Sequence, residues 1–346
     1  MTPPLYEVTA LSVAYHARNR RQPAIALRGV SFAVNTGETL GVVGESGSGK
    51  SSLANAMMGL VPAAQGACRF QGRDIATMDR ADTLLFRRSV QMVFQDPFGS
   101  LNPRLTVGDA IGEVIRVHDS AAAKDRAMTD RRVAGLLEQV ELSPAHTSRY
   151  PHEMSGGQRQ RVVLARALAL NPVLLIADEP VSALDVLIQR QVLALLATIQ
   201  RERSMALILI AHDLAVVHNA CGRLLVLFGG LVMESGPSTL LLRPAHPYTR
   251  DLLASVPSVK RGLARDRRSS MVSGGSGAIL TSSVGNSANG PQVTREQTER
   301  PPPDAPGCAY RLQCGMAQER CEREAPDLAL VAPDRMSRCH FATGVI

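Results

Sequence analysis

The chain begins with stretches in which apolar and polar positions alternate. Leu5, Glu7 and Thr9, then Leu27, Val30, Phe32 and Val34, predict antiparallel strands within residues 5–35. Residues 39–43 form a short apolar run ending in Gly44, the pattern of a buried strand entering a glycine-rich turn. The period then changes. Over 50–60, Leu53, Ala56, Met57 and Leu60 share one helical face. Residues 89–94 read as another strand. Residues 106–142 are helical in pattern, through Val107, Ile111, Val114 and Ile115, then Val133, Leu136, Leu137 and Val140. A helix over 155–170, a buried strand over 173–177, a long helix over 185–203 and a third central strand over 206–211 follow. Strands separated by helices predict an α/β fold, a mostly parallel sheet with helices on both faces.

The turn after the first buried strand carries chemistry. Gly44-Glu45-Ser46-Gly47-Ser48-Gly49-Lys50-Ser51 fits G-x-x-x-x-G-K-[ST], with Ser52 following. Glycines let backbone N–H groups curl around an anion, and the following helix offers its N-terminus to phosphates. Lys50 is placed to reach the β- and γ-phosphates and the Ser51 hydroxyl to ligate Mg²⁺. A chance glycine-rich turn is a poor rival: the chain holds three lysines, and one stands at the required place. Further on, Leu174-Leu175-Ile176-Ala177-Asp178-Glu179 is an apolar strand carrying two carboxylates at its C-terminal end. Asp178 is expected in the Mg²⁺ shell, and Glu179 is expected to orient or deprotonate an attacking water.

Composition narrows the class. The chain has 346 residues, 45% of them hydrophobic, but 3% aromatic and no Trp, so the core must be aliphatic. The net charge of +7 is nearly all Arg, spread along the chain; it reads as solvated faces, with no dense run pointing to nucleic acid. Residues 1–30 lack an apolar signal region, and no apolar stretch approaches the ~18–20 residues needed to span a bilayer. A soluble, cytoplasmic chain is expected, with any membrane role coming through partners. Composition shifts near residue 262, and 269–303 is rich in Ser, Gly, Asn, Gln and Pro, which predicts a flexible linker. Cys68 and Cys221 stand alone in apolar surroundings and read as small buried hydrophobes. Cys308, Cys314, Cys321 and Cys339 crowd into the tail, where a metal is a better expectation than disulfides. Four thiolates suit tetrahedral zinc or an iron–sulfur cluster, although the spacing lacks the C-x2-C knuckle of most zinc modules.

Other motifs resemble a known family. Ser155-Gly156-Gly157-Gln158-Arg159-Gln160-Arg161 is similar to the ABC signature sequence, with Met154 where Leu or Phe is commoner. Gln95 resembles the Q-loop residue, Ser182-Ala183-Leu184-Asp185 the D-loop, and His212 the switch histidine, in the family's order. Tyr15 is the expected adenine-stacking aromatic. The stretches Phe94-Gln95-Asp96-Pro97-Phe98-Gly99-Ser100-Leu101-Asn102-Pro103-Arg104 and His246-Pro247-Tyr248-Thr249 resemble the oligopeptide/dipeptide/nickel importers. The likeness covers roughly 5–258 and resumes at the cysteines.

The resemblance implies a RecA-like P-loop NTPase core with an antiparallel β subdomain, an inserted α-helical subdomain at about 105–165 and a small Cys-rich C-terminal extension. The implied domains are 1–258 for the ATPase, 259–303 for the linker and 304–346 for the extension. The implied ligands are ATP, Mg²⁺ held by Ser51, Gln95 and Asp178, and a [4Fe-4S] cluster on Cys308, Cys314, Cys321 and Cys339. Lys50, Glu179 and His212 are the implied catalytic residues. Residues 44–52, Tyr15, Gln95, Asp178 and Asp185 would form the nucleotide site. Ser155, Gly156, Gly157 and Gln158 would complete the site of a second, related ATPase subunit. The remaining partners implied are two permease subunits and an extracytoplasmic binding protein, at the cytoplasmic face of the inner membrane. Cargo and import direction rest on the resemblance alone. A soluble ABC ATPase acting on DNA or ribosomes is disfavoured by the single cassette and the importer-like tail. A catalytically dead subunit is disfavoured by the presence of Glu179 and His212.

Overall fold

The computed structural model describes residues 3–16, 23–182, 184–255 and 305–342. Strands β1 (Tyr6–Tyr15), β2 (Ala24–Val34), β4 (Gln65–Phe70) and β5 (Arg73–Asp74) form an antiparallel sheet in the order β2-β1-β4-β5. A second sheet holds β3 (Thr39–Val43), β6 (Val90–Val93), β7 (Leu174–Asp178), β8 (Ala206–Ala211), β9 (Arg223–Phe228), β10 (Leu231–Pro237), β11 (Ala329–Ala332) and β12 (Arg335–Ser337). Its order is β11-β12-β10-β9-β3-β8-β7-β6. The five strands from β9 to β6 are parallel, and β10, β12 and β11 continue the sheet antiparallel.

Successive strand residues face opposite sides, so a parallel sheet that is apolar throughout must be covered twice. In β8, Leu207, Leu209 and Ala211 join one buried cluster while Ala206, Ile208 and Ile210 join the other. The small sheet and helix α1 (Lys50–Met57) cover the second face through Tyr6, Leu11, Val30, Leu53 and Met57. After a one-turn α3 (Pro97–Ser100), the first face is covered by α4 (Val107–His118), α6 (Arg126–Gln139), α7 (Gly156–Leu168), α8 (Val186–Glu202), α9 (Leu214–Ala220) and α10 (Pro247–Ala254).

Three local departures have physical causes. Helix α1 stops at Met57, Gly59 takes φ +69°, and Leu60 is 58% exposed rather than on the buried face. The helical pattern over 106–142 is broken twice. Asp119 accepts from the amides of Ala121 and Ala122 to start α5 (Ser120–Lys124), and Asp125 accepts from the amide of Met128 to start α6. A short carboxylate that bonds the backbone in this way restarts a helix rather than continuing one. Helix α2 (Arg80–Ser89), not anticipated from the sequence, starts where the Asp79 side chain accepts from the Asp82 amide, and it buries Phe86.

The tail, over residues 305–342, is tied to the sheet. β12 pairs with β10 through Glu234↔Ser337 and Ser235↔Met336, so the extension lengthens the main sheet. The expected linker at 259–303 lies outside the described residues. Among the described residues no helix is long and apolar enough to cross a membrane.

Candidate active site

Sheet register brings four strand ends together. Val43 of β3 pairs with Ala211 of β8, Ile210 of β8 with Asp178 of β7, and Ala177 of β7 with Val93 of β6. Parallel neighbours lie about 4.8 Å apart. The segments following β3, β8, β7 and β6 therefore emerge side by side at the C-terminal edge, where open α/β sheets bind ligands. Those segments carry the phosphate-loop motif, His212, Glu179 and Gln95.

The loop after β3 curls tightly. A Cβ on Gly44 would lie 2.2 Å from the Leu227 carbonyl oxygen and 2.6 Å from Ser48 Oγ. Gly49 caps α1 at φ +108°, and a Cβ there would meet the Ala26 carbonyl oxygen at 2.7 Å. Lys50 is buried, and its Nζ donates to the carbonyls of Gly44 (2.8 Å) and Glu45 (3.0 Å). The ammonium is thus held inside the concavity, with Ser46, Gly47 and Ser51 exposed around it. Tyr15 is 40% exposed and its hydroxyl donates to Ser52 Oγ at 3.2 Å, which sets its ring beside the start of α1.

Glu179 is the meeting point. Gln95 Nε2 donates to its Oε2 at 2.9 Å, His212 Nδ1 lies 3.4 Å from Oε2, and Lys50 Nζ lies 3.9 Å from Oε1. Its backbone has φ +46° and its N–H donates to the Ile210 carbonyl at 2.9 Å. A left-handed non-glycine residue costs on the order of 1 kcal/mol and persists where the surroundings impose it. Here that geometry turns the chain away from β7 and aims the carboxylate along the row of strand ends.

Asp178, beside it, is buried, and its Oδ1 has no hydrogen-bond partner. Burial pushes its carboxyl above the usual range and Glu179 adds to this, while the Ser51 hydroxyl and Lys50 pull it back. A buried carboxylate oxygen without a partner is costly, and a cation bound between Asp178 and Ser51 would satisfy it. The residues therefore fit Mg²⁺.

The signature segment behaves differently. Ser155 Oγ accepts from the Gln158 amide at 3.3 Å, the Gln158 side chain accepts from the Ser155 amide at 3.0 Å, and Gln158 Nε2 reaches His146 at 3.5 Å. This capping box starts α7. Asp185 caps α8, accepting from the Ile188 amide at 3.0 Å; Ala183 lies outside the described residues.

The expectation of a [4Fe-4S] cluster is corrected. Among the described residues, which include all four tail cysteines, no group of three or more His, Cys, Asp or Glu side chains is arranged to hold a metal ion. The zinc alternative falls with it. Cys308, Cys314, Cys321 and Cys339 are free thiols around one small apolar pocket with Tyr310 and Phe341. Burial pushes the thiols of Cys308, Cys314 and Cys339 up, which favours the neutral form over a thiolate ligand. Cys68 and Cys221 are buried as expected, and burial raises their thiols to about 11 and about 12.

Similarity to known proteins bears on these residues directly. A putative peptide import ATP-binding protein of Brucella ovis is 39% identical over 337 residues, covering 97% of each chain. The chain belongs to the ATP-binding proteins of ABC transporters. Residues 27–182 match the ABC transporter family, and residues 233–273 match the oligopeptide/dipeptide transporter C-terminal region. The oligopeptide transport ATP-binding protein AppF of Bacillus subtilis is 41% identical over 319 residues, 91% of this chain and 89% of that one. A dimeric ATP-binding cassette solved in a post-hydrolysis state with ADP and Pi superposes with a TM-score of 0.59 at 26% identity, covering 67% of this chain and 98% of that one. As a member of this ABC family, the chain is an ATPase.

Sequence reasoning passed over the roles of Tyr248 and Glu234. Tyr248 is buried, and its hydroxyl accepts from the Glu45 amide at 2.9 Å. Glu234 is fully buried and paired with Arg335 at 2.7 Å. The His246-Pro247-Tyr248-Thr249 stretch held the first of these, read only as a mark of resemblance.

Proposed function

We propose that the chain is the ATP-hydrolysing subunit of a peptide importer, with Glu179 as its hydrolytic carboxylate. The observation that carries the hydrolytic reading is the convergence of Lys50, Gln95 and His212 on Glu179 at four adjacent strand ends. Residues 44–52 cradle the phosphates of ATP, and Tyr15 stacks on its base. Lys50 exchanges its carbonyl partners for phosphate oxygens. Ser51, Asp178 and Gln95 would hold Mg²⁺, which would supply positive charge to the phosphate oxygens. Glu179 orients a water and takes its proton, and His212 contacts the γ-phosphate.

The signature segment supports a two-subunit site. Ser155 and Gln158 cap the start of α7 through each other, and Ser155, Gly156, Gly157 and Gln158 would cover ATP held by a second, related ATPase subunit. Asp185 lies on the same interface. Closure would pull on two permease subunits, and hydrolysis would reset them. The chain sits peripherally at the cytoplasmic face of the inner membrane, and an extracytoplasmic binding protein delivers the cargo. Its domains are the ATPase over 1–258, with a helical subdomain at about 105–165, and the extension over 304–346.

Peptide cargo is supported by the names of the similar proteins and by the match over 233–273. The test is ATP hydrolysis by the chain reconstituted with its permease in lipid discs. Peptide-loaded binding protein should raise turnover. Stimulation by nickel or another small solute, with none by peptides, would replace the cargo assignment.

A further inference from the structure

The Gly44–Glu45 peptide group is gripped from both sides. Its carbonyl oxygen accepts from Lys50 Nζ at 2.8 Å, and its N–H donates to the Tyr248 hydroxyl at 2.9 Å. A peptide unit is planar, so these two bonds together fix the rotation of one rigid plate. That plate is the anchor of the lysine ammonium.

Tyr248 is itself held by the tail. Its ring packs against Phe228 (centroids 4.7 Å apart) and against Tyr310 of the extension (5.2 Å), and Tyr310 donates to Asp251 at 2.5 Å. Its amide donates to His246 Nδ1 at 3.0 Å. Because Nδ1 accepts, the His246 proton is on Nε2, which donates to the Arg338 carbonyl at 3.1 Å. Glu234 accepts from the amides of Ala245 and His246 at 2.9 and 3.1 Å, and Arg335 balances its charge. Tyr310, Arg335 and Arg338 all come from the extension. Tyr310 packs on Tyr248, Arg335 pairs with Glu234, and the Arg338 carbonyl accepts from His246.

We infer that Tyr248 is a positioning residue of the phosphate loop, and that the C-terminal extension sets ATP affinity through it. The inference rests on residues 44–51 being the ATP site, and the test separates the two. MgATP affinity is measured by calorimetry on the full chain for wild type and for Lys50→Ala, Tyr248→Phe, Tyr310→Leu and Leu137→Ala. Melting temperatures and deuterium exchange over residues 41–50 are recorded alongside.

Lys50→Ala should abolish binding. Tyr248→Phe removes the hydroxyl that accepts from the Glu45 amide and should raise Kd about three- to thirtyfold, with faster exchange in the loop. Tyr310→Leu should raise Kd about two- to tenfold by removing the ring contacts to Tyr248, Phe228 and His246 and the bond to Asp251. Leu137→Ala, in the remote helix α6, should lower the melting temperature with Kd unchanged, which separates positioning from general destabilisation. Wild-type Kd and exchange in Tyr248→Phe, with Lys50→Ala unable to bind, would overturn the inference alone. If Tyr248→Phe does not fold, Tyr310→Leu decides, and an unchanged Kd there overturns it. ATP binding retained by Lys50→Ala would overturn the phosphate-site reading and the inference with it.

Discussion

Gln95 and Glu179 lie 84 positions apart, yet the Gln95 amide donates to Glu179 Oε2 at 2.9 Å. The strands that carry them, β6 and β7, are hydrogen-bonded neighbours. The bond fixes where the carboxylate rests before a water reaches it. Gln95→Ala should therefore lower kcat by about tenfold through lost orientation and, because Gln95 would also help hold Mg²⁺, raise the KM for MgATP by about three- to tenfold. Steady-state kinetics check the split. A rise in KM at constant kcat would place Gln95 in binding alone.

Gly44 touches backbone, so its neighbour cannot rotate away. A Cβ 2.2 Å from the Leu227 carbonyl must push the loop aside. Overpacking of this kind costs about 1–3 kcal/mol, and about 1.4 kcal/mol is tenfold in affinity. Gly44→Ala should weaken ATP binding at least about tenfold, which equilibrium titration reads directly.

The Glu234–Arg335 pair predicts a large and recoverable loss of stability. Arg335→Ala leaves a fully buried carboxylate without its cation. Breaking such a pair costs about 3–5 kcal/mol. Denaturant unfolding should show that loss, and Glu234→Gln added to Arg335→Ala should recover part of it.

Acid should weaken the protein through His246. Burial lowers its pKa from 6.5 to about 4, and the Arg338 and Arg250 charges lower it too, against the Arg338 carbonyl. Between those values the unfolded chain takes up a proton that the folded chain refuses. Stability present above pH 6.5 is therefore lost as pH falls toward 4, by about 1.4 kcal/mol per pH unit. His246→Asn keeps a cap that accepts from the Tyr248 amide and removes the titration. Its melting temperature should fall less steeply over that window than that of wild type.

Much of the nucleotide site was legible because its parts are local. A glycine-rich turn after an apolar strand, an apolar run ending in Asp178-Glu179, and a signature before a helix each fit within a few residues. Their convergence was not local; it follows from strand order, in which β8 stands between β3 and β7. Tyr248 and Glu234 were opaque for the same reason: each gains meaning from a residue of the extension that only the sheet brings near. The breaks at Asp119 and Asp125 were readable in principle as caps, but the apolar periodicity ran across them. The cysteine tail misled because spacing says which thiols are near in sequence, not how they are arranged in space, and among the described residues no such group is arranged to hold a metal ion.

The central claim is that Glu179 performs hydrolysis rather than structure. The direct test is ATP turnover by Glu179→Gln, measured together with ATP-dependent pairing of ATPase subunits by size-exclusion chromatography. Gln keeps the shape and the bond to Gln95 but cannot take a proton. Turnover should fall by about 10²–10⁴-fold while ATP binding persists and paired subunits accumulate. Turnover equal to that of wild type would contradict the claim.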